Sequence, residues 1–77
     1  MTYPHISRDP GILGGKPVIA GTRISVDIIL ELLSSGMSAK DIVRQYPQLT
    51  EEFVREALAY AATDIRRSEI DSIRRPR

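Results

Sequence analysis

Residues Gly14-Gly15-Lys16-Pro17-Val18-Ile19-Ala20-Gly21-Thr22-Arg23-Ile24-Ser25-Val26 divide this chain into two kinds of sequence. Three of the five glycines fall inside the stretch, beside a proline and among β-branched residues, so it can turn or extend but cannot continue a helix. Before it the chain reads as extended or turning. After it the chain reads as helix.

Size limits what can be built around that joint. With 77 residues there is room for one domain, and a chain this short buries a small share of its surface. Such domains add disulfides, a metal or a partner chain. Cysteine is absent and His5 is the single histidine, so disulfides, thiolate zinc sites and histidine metal clusters are excluded. Extra stability must come from close helix packing or a second chain. No apolar run approaches the length of a membrane span, and Met1-Thr2-Tyr3-Pro4-His5 lacks the charged and apolar regions of a secretory signal. A cytoplasmic protein is expected. Net charge is +1, which gives no global field for steering nucleic acid. The basic character sits in the tail, where Arg66, Arg67, Arg74, Arg75 and Arg77 face only Glu69 and Asp71.

Taken in order, Tyr3 to Arg8 can form a short strand held to an edge by Pro4. Asp9-Pro10-Gly11 has turn chemistry, and Gly14-Gly15 allows a second change of direction. Pro17-Val18-Ile19 and Thr22-Arg23-Ile24 flank Ala20-Gly21, which predicts a hairpin. A hairpin alone is barely stable in water and must pair with the amino-terminal strand, the helices or a second chain.

Three helices follow. Ser25 caps the first, Asp27 suits its dipole, Gly36 ends it, and Val26, Ile29, Leu30 and Leu33 form its inner face. Ile28 and Leu32 widen the apolar surface, which predicts cover on more than one side. Ser38 with Asp41 forms a capping box for the second helix, Met37 can staple against Ile42, and Ile42, Val43 and Tyr46 face inward until Pro47 stops it. Thr50 caps the third, Leu49 can staple against Val54, and Val54, Ala57, Leu58, Ala61 and Ile65 make its stripe. Beyond Ile65 the stripe loses phase, so residues 66–77 are read as a frayed helical extension that orders on contact with a partner. The expected architecture is mainly α: a short N-terminal β-hairpin region, then a three-helix, helix-turn-helix-like (homeodomain-like) core. Residues 1–65 form that single domain, and residues 66–77 an arginine-rich extension.

Ile6-Ser7-Arg8-Asp9-Pro10-Gly11, followed by Gly14-Gly15-Lys16-Pro17-Val18-Ile19-Ala20-Gly21-Thr22-Arg23-Ile24, resembles the signature of domain-of-unknown-function family 433. Gly36-Met37-Ser38, Tyr46-Pro47-Gln48-Leu49-Thr50 and Ala57-Leu58-Ala59-Tyr60 continue the resemblance, which covers residues 5–62. It implies a small helix-turn-helix-like fold and an antitoxin of the VapB kind, encoded beside a toxin with a PIN-like nuclease domain. Such antitoxins bind their toxin, and many in other families also bind their own operator DNA.

Several motifs have plainer readings. A phosphate loop needs four residues between its glycines and a Lys-Ser/Thr pair, whereas Lys16 directly follows Gly14-Gly15 and precedes Pro17. Those glycines are read as turn formers. Arg23 can lock onto Asp27 or Glu31, or face a partner, and the structural role is preferred. His5 is read as a surface or hydrogen-bonding residue. Asp9, Asp27, Glu31, Glu51 and Glu52 are caps, dipole partners or turn formers, so no catalytic constellation emerges and the chain is read as a non-enzyme without a cofactor.

In a helix-turn-helix the second helix of the unit enters the major groove. Here it begins Thr50, Glu51, Glu52, with Arg55 and Glu56 next, and acids repel the phosphates that dominate affinity. DNA contacts are therefore assigned to Arg8, Lys16 and Arg23 of the β region or Lys40 and Arg44 of the second helix. Partner contacts are assigned to Arg66, Arg67, Arg74, Arg75 and Arg77, whose guanidinium groups match the carboxylates that hold metal ions in a PIN-type nuclease. A homodimer is expected, because the hairpin has little to pack on in one chain. A stand-alone DNA-binding regulator and a non-catalytic adaptor are the alternatives, and a PIN-like gene next door would favour the antitoxin.

Overall fold

The computed structural model describes residues 3–74, with side chains as far as Ile65. Two short strands precede three helices: β1 (Ile6–Ser7), β2 (Val18–Ile19), α1 (Val26–Ser34), α2 (Ala39–Gln45) and α3 (Glu51–Arg74). The mainly helical architecture matches the sequence reading.

Helix ends fall where the capping residues stand. The Ser25 hydroxyl accepts from the Ile28 amide at 3.1 Å and Asp27 lies in the first turn of α1. At the other end Gly36 takes φ 103°, a left-handed conformation that a residue with a Cβ resists. That geometry lets the Gly36 amide donate to Leu33 at 3.1 Å and the Met37 amide to Leu32 at 3.2 Å, closing α1 with a Schellman motif. Ser38 follows directly as the cap of α2. Its hydroxyl accepts from the Asp41 amide, and the Asp41 carboxylate accepts from the Ser38 amide, each at 3.1 Å. Tyr46 leaves the helical region ahead of Pro47, at φ −121° and ψ 86°. Thr50 then accepts from the Phe53 amide at 3.2 Å to start α3.

The backbone and side-chain bonds from Ser38 hold the Asp41 carboxyl below the usual carboxylate range, with Arg44 a smaller contributor. A depressed folded value means the carboxylate stabilises the folded chain above the unfolded pKa and stops doing so as pH falls through the folded one. Acidification below about pH 4 is therefore expected to loosen the start of α2, and Asp41→Asn to remove that part of the pH dependence. Amide exchange of Asp41 and Ile42 across the acid range checks this; identical acid profiles in both proteins would refute it.

One core joins every element. Ile19, Ile24, Val26, Ile29, Ile42, Leu49, Val54 and Ala57 are buried together, with Leu33, Met37, Tyr46, Phe53 and Tyr60 packed around them. Both stapling pairs, Met37 with Ile42 and Leu49 with Val54, lie in this cluster.

Three expectations need correction. The predicted hairpin is not a ladder. β2 pairs in register with β1, Ile6 opposite Ile19 and Ser7 opposite Val18, while residues 22–24 form a loop that returns to β2 through a single bridge from Val18 to Ser25. The cause is Thr22, whose hydroxyl donates to the Ile19 carbonyl at 2.7 Å and accepts from the Ile24 amide at 3.0 Å, so the chain curls instead of extending. With Val18 and Ile19 each only 1% exposed, β2 is covered within one chain, and the expected reason for dimerising through it disappears. Secondly, the stripe on α3 is rotated: Phe53, Val54, Ala57, Tyr60 and Ala61 meet the core, whereas Leu58 and Ile65 are exposed. Thirdly, Ile28 of α1 stays exposed, so that helix is not covered all round. Over residues 66–74 the backbone simply continues α3.

Candidate functional site

The amino-terminal segment lies across α3 and, among the described residues, joins it through a cluster of polar contacts. Glu56, Tyr60 and Thr63 are four and three residues apart, so they fall on one line of α3. Tyr3 reaches the far end of that line, hydrogen-bonding Thr63 and donating to the Ala59 carbonyl at 3.3 Å. Its ring meets Tyr60 edge-on at 5.4 Å. The His5 amide donates to one Glu56 oxygen at 2.6 Å, its ring Nδ1 lies 2.9 Å from the other, and the imidazole packs 4.6 Å from Phe53. Arg8 donates to the Tyr60 hydroxyl and sits 5.7 Å over the ring. His5 is thus the hydrogen-bonding residue expected. The strap as a whole joins residues more than fifty positions apart, which local periodicity cannot reveal.

Leu13, Lys16, Ser25, Asp27, Ile28 and Glu31 line an open groove of about 330 Å³. Lys16 reaches Asp27 at 3.9 Å with both side chains mostly exposed, a weak pair. It takes the partner expected for Arg23. Arg23 itself is exposed and makes no ion pair among the described residues. The preceding turn is left-handed through Leu13, Gly14 and Gly15, at φ 49°, 66° and 86°. The Gly15 amide donates to Ile12 at 3.0 Å and the Lys16 amide to Leu13 at 3.4 Å, so these donors close the turn and do not cradle a phosphate.

Of the five cations assigned to DNA, Arg8, Lys16 and Arg23 precede α1, and Lys40 and Arg44 lie on α2. Arg8 is engaged by Tyr60 and Lys16 by Asp27, on separate parts of the chain. Lys40 and Arg44, four residues apart on α2, do share a face, and Arg44 lies 3.9 Å from Asp41. The backbone of α3 passes through Arg66, Arg67 and Arg74; Arg75 and Arg77 lie outside the described residues. Among the described residues no helix is long and apolar enough to cross a membrane.

Comparison with known proteins places this architecture. A crystal structure of a DUF433 member protein from Anabaena variabilis superimposes with a TM-score of 0.76 at 28% identity, over 87% of this chain and 66% of that one. An uncharacterized protein of Sinorhizobium fredii, y4eO, is 36% identical over 56 residues, which is 73% of this chain. The chain spans about a quarter of that relative's length, 25%. Residues 6–61, from β1 through the core-facing part of α3, match the family described as proteins of unknown function, DUF433. The chain belongs to the DUF433 family.

Proposed function

We propose that this chain is the antitoxin of a toxin–antitoxin pair, a non-catalytic protein that binds and neutralises a PIN-like nuclease, with binding to its own operator DNA as a second role. The observation that supports it is the length of α3. Among the described residues the furthest contact between α3 and the amino-terminal strap is Tyr3 with Thr63, yet the helix runs on to Arg74. Eleven further residues (64–74) extend it by about 16 Å at the rise of an α-helix. This arm carries Arg66, Arg67 and Arg74 in sequence, and guanidinium groups suit a cleft lined with metal-binding carboxylates.

For DNA, Lys40 and Arg44 on the exposed side of α2 are favoured over the acidic start of α3, because they lie on one face and both are exposed. The deciding experiment is co-expression with a PIN-like nuclease taken from the gene beside the one that encodes this chain. The full chain is expected to rescue growth, and a chain ending at Ile65 to lose most of the rescue while remaining folded. Full inhibition by the shortened chain would sink the role of the arm. No rescue by either, together with salt-dependent binding to the promoter, would favour the stand-alone regulator.

A further inference from the structure

On α3 the core takes one side and the strap another, and a third side is left over. Leu58 is 42% exposed and Ile65 58%, with exposed Arg55 and Ala62 on the same line. Positions 55, 58, 62, 65 and 69 alternate three and four residues apart, the spacing of a coiled-coil seam. The helical backbone carries position 69 onto that line, and the residue there is Glu69. Arg55 and Glu69 each lie seven residues from Ala62, one on either side. The seam is therefore charge-complementary to itself when reversed.

We propose that Arg55, Leu58, Ala62 and Ile65 form a dimerisation seam on which α3 of a second copy packs antiparallel, about a two-fold axis at Ala62. In that arrangement Arg55 lies beside Glu69 of the partner subunit, and the symmetry repeats the pair. Leu58 and Ile65 cover one another across the axis, and alanine at 59 and 62 lets the helices approach closely. A parallel pairing in register would set arginine against arginine and glutamate against glutamate. The two helix dipoles also oppose in the antiparallel case. The inference is independent of the antitoxin reading and locates dimerisation on α3 instead of the β region.

Sedimentation of the full chain should show about twice the 8.6 kDa protomer mass at concentrations near 100 µM, with a dissociation constant in the micromolar range. Leu58→Glu and Ile65→Lys alter exposed side chains, so both should fold and sediment as monomers. Arg55→Glu should weaken association by about tenfold or more, and adding Glu69→Arg should restore it. Because the chain contains no cysteine, direction can be read by cross-linking. Ala62→Cys should form a disulfide dimer under mild oxidation. Arg55→Cys should not, since its two copies are about 21 Å apart along the helices, far beyond disulfide reach. A wild-type monomer at 100 µM, unchanged mass in Leu58→Glu, or rapid self-cross-linking of Arg55→Cys would each overturn the proposal. Unchanged mass with loss of nuclease binding would assign the seam to that partner.

Discussion

Replacing Ile29 by alanine is expected to lower the unfolding free energy by about 3 kcal/mol, within the range for a buried isoleucine truncated in a packed core. Ile29 is 0% exposed and sits where α1 faces α3, in the cluster with Ile42, Leu49 and Val54. The loss combines the transfer energy of three carbons with the cavity they leave, which close packing on several sides prevents from collapsing. In a domain this small that is a large share of total stability and lowers the melting temperature by about 12–24 °C. The neighbouring Ile28 provides the contrast. It is 37% exposed, and Ile28→Ala should cost about 1 kcal/mol or less. Urea denaturation of both variants checks this pair; equal losses would mean that the core is not centred where α1 meets α3.

Tyr60→Ala is expected to cost about 2–3 kcal/mol, because one side chain serves both the core and the strap. Its ring packs against the core cluster and meets Tyr3, while its hydroxyl accepts from Arg8. Tyr60→Phe keeps the ring and should lose about 1 kcal/mol, the worth of one hydrogen bond to a charged donor at a partly exposed site. Arg8→Ala should then cost less in the Phe background than in the wild type, since the hydrogen bond is already gone and only the cation over the ring remains to be lost. Amide exchange reports the location of the damage. Releasing the strap removes cover from β1, so the Ala20 amide, which donates to the His5 carbonyl at 2.8 Å, should exchange faster in Tyr60→Ala. No change in stability or exchange would show that the strap contributes nothing to the fold.

These two residues also show where sequence reasoning reaches its limit. Ile29 was readable as core, because a helix with apolar residues three and four apart has an inner face and Ile29 lies in its middle. Ile28 was readable only as apolar. Whether it is covered depends on what lies beside α1, and among the described residues it is left 37% exposed. On α3 the apolar residues fit two overlapping stripes, one through Leu58 and Ile65 and one through Phe53 and Tyr60. Periodicity cannot rank them; the neighbouring elements do. The candidate cations fared similarly. Their charge was legible, while the bond from Arg8 to Tyr60 and the weak pair of Lys16 with Asp27 depend on contacts outside any local window.

The sequence alone determined the punctuation of this protein. Ser25, Gly36, Ser38 with Asp41, Pro47 and Thr50 set the helix ends, because a cap acts on backbone groups within three or four residues of itself. Tertiary structure alone decided the pairing. β2 could have joined the loop after it or the strand before it, and the outcome turned on the Thr22 hydroxyl curling the loop and on the strap fixing β1 beside α3. The Thr22 bonds are local, but the strap contacts join residues far apart in the chain. They form only once α3 is in place, which is why Gly14–Val26, the most distinctive stretch in the sequence, revealed its own turns but not its partner.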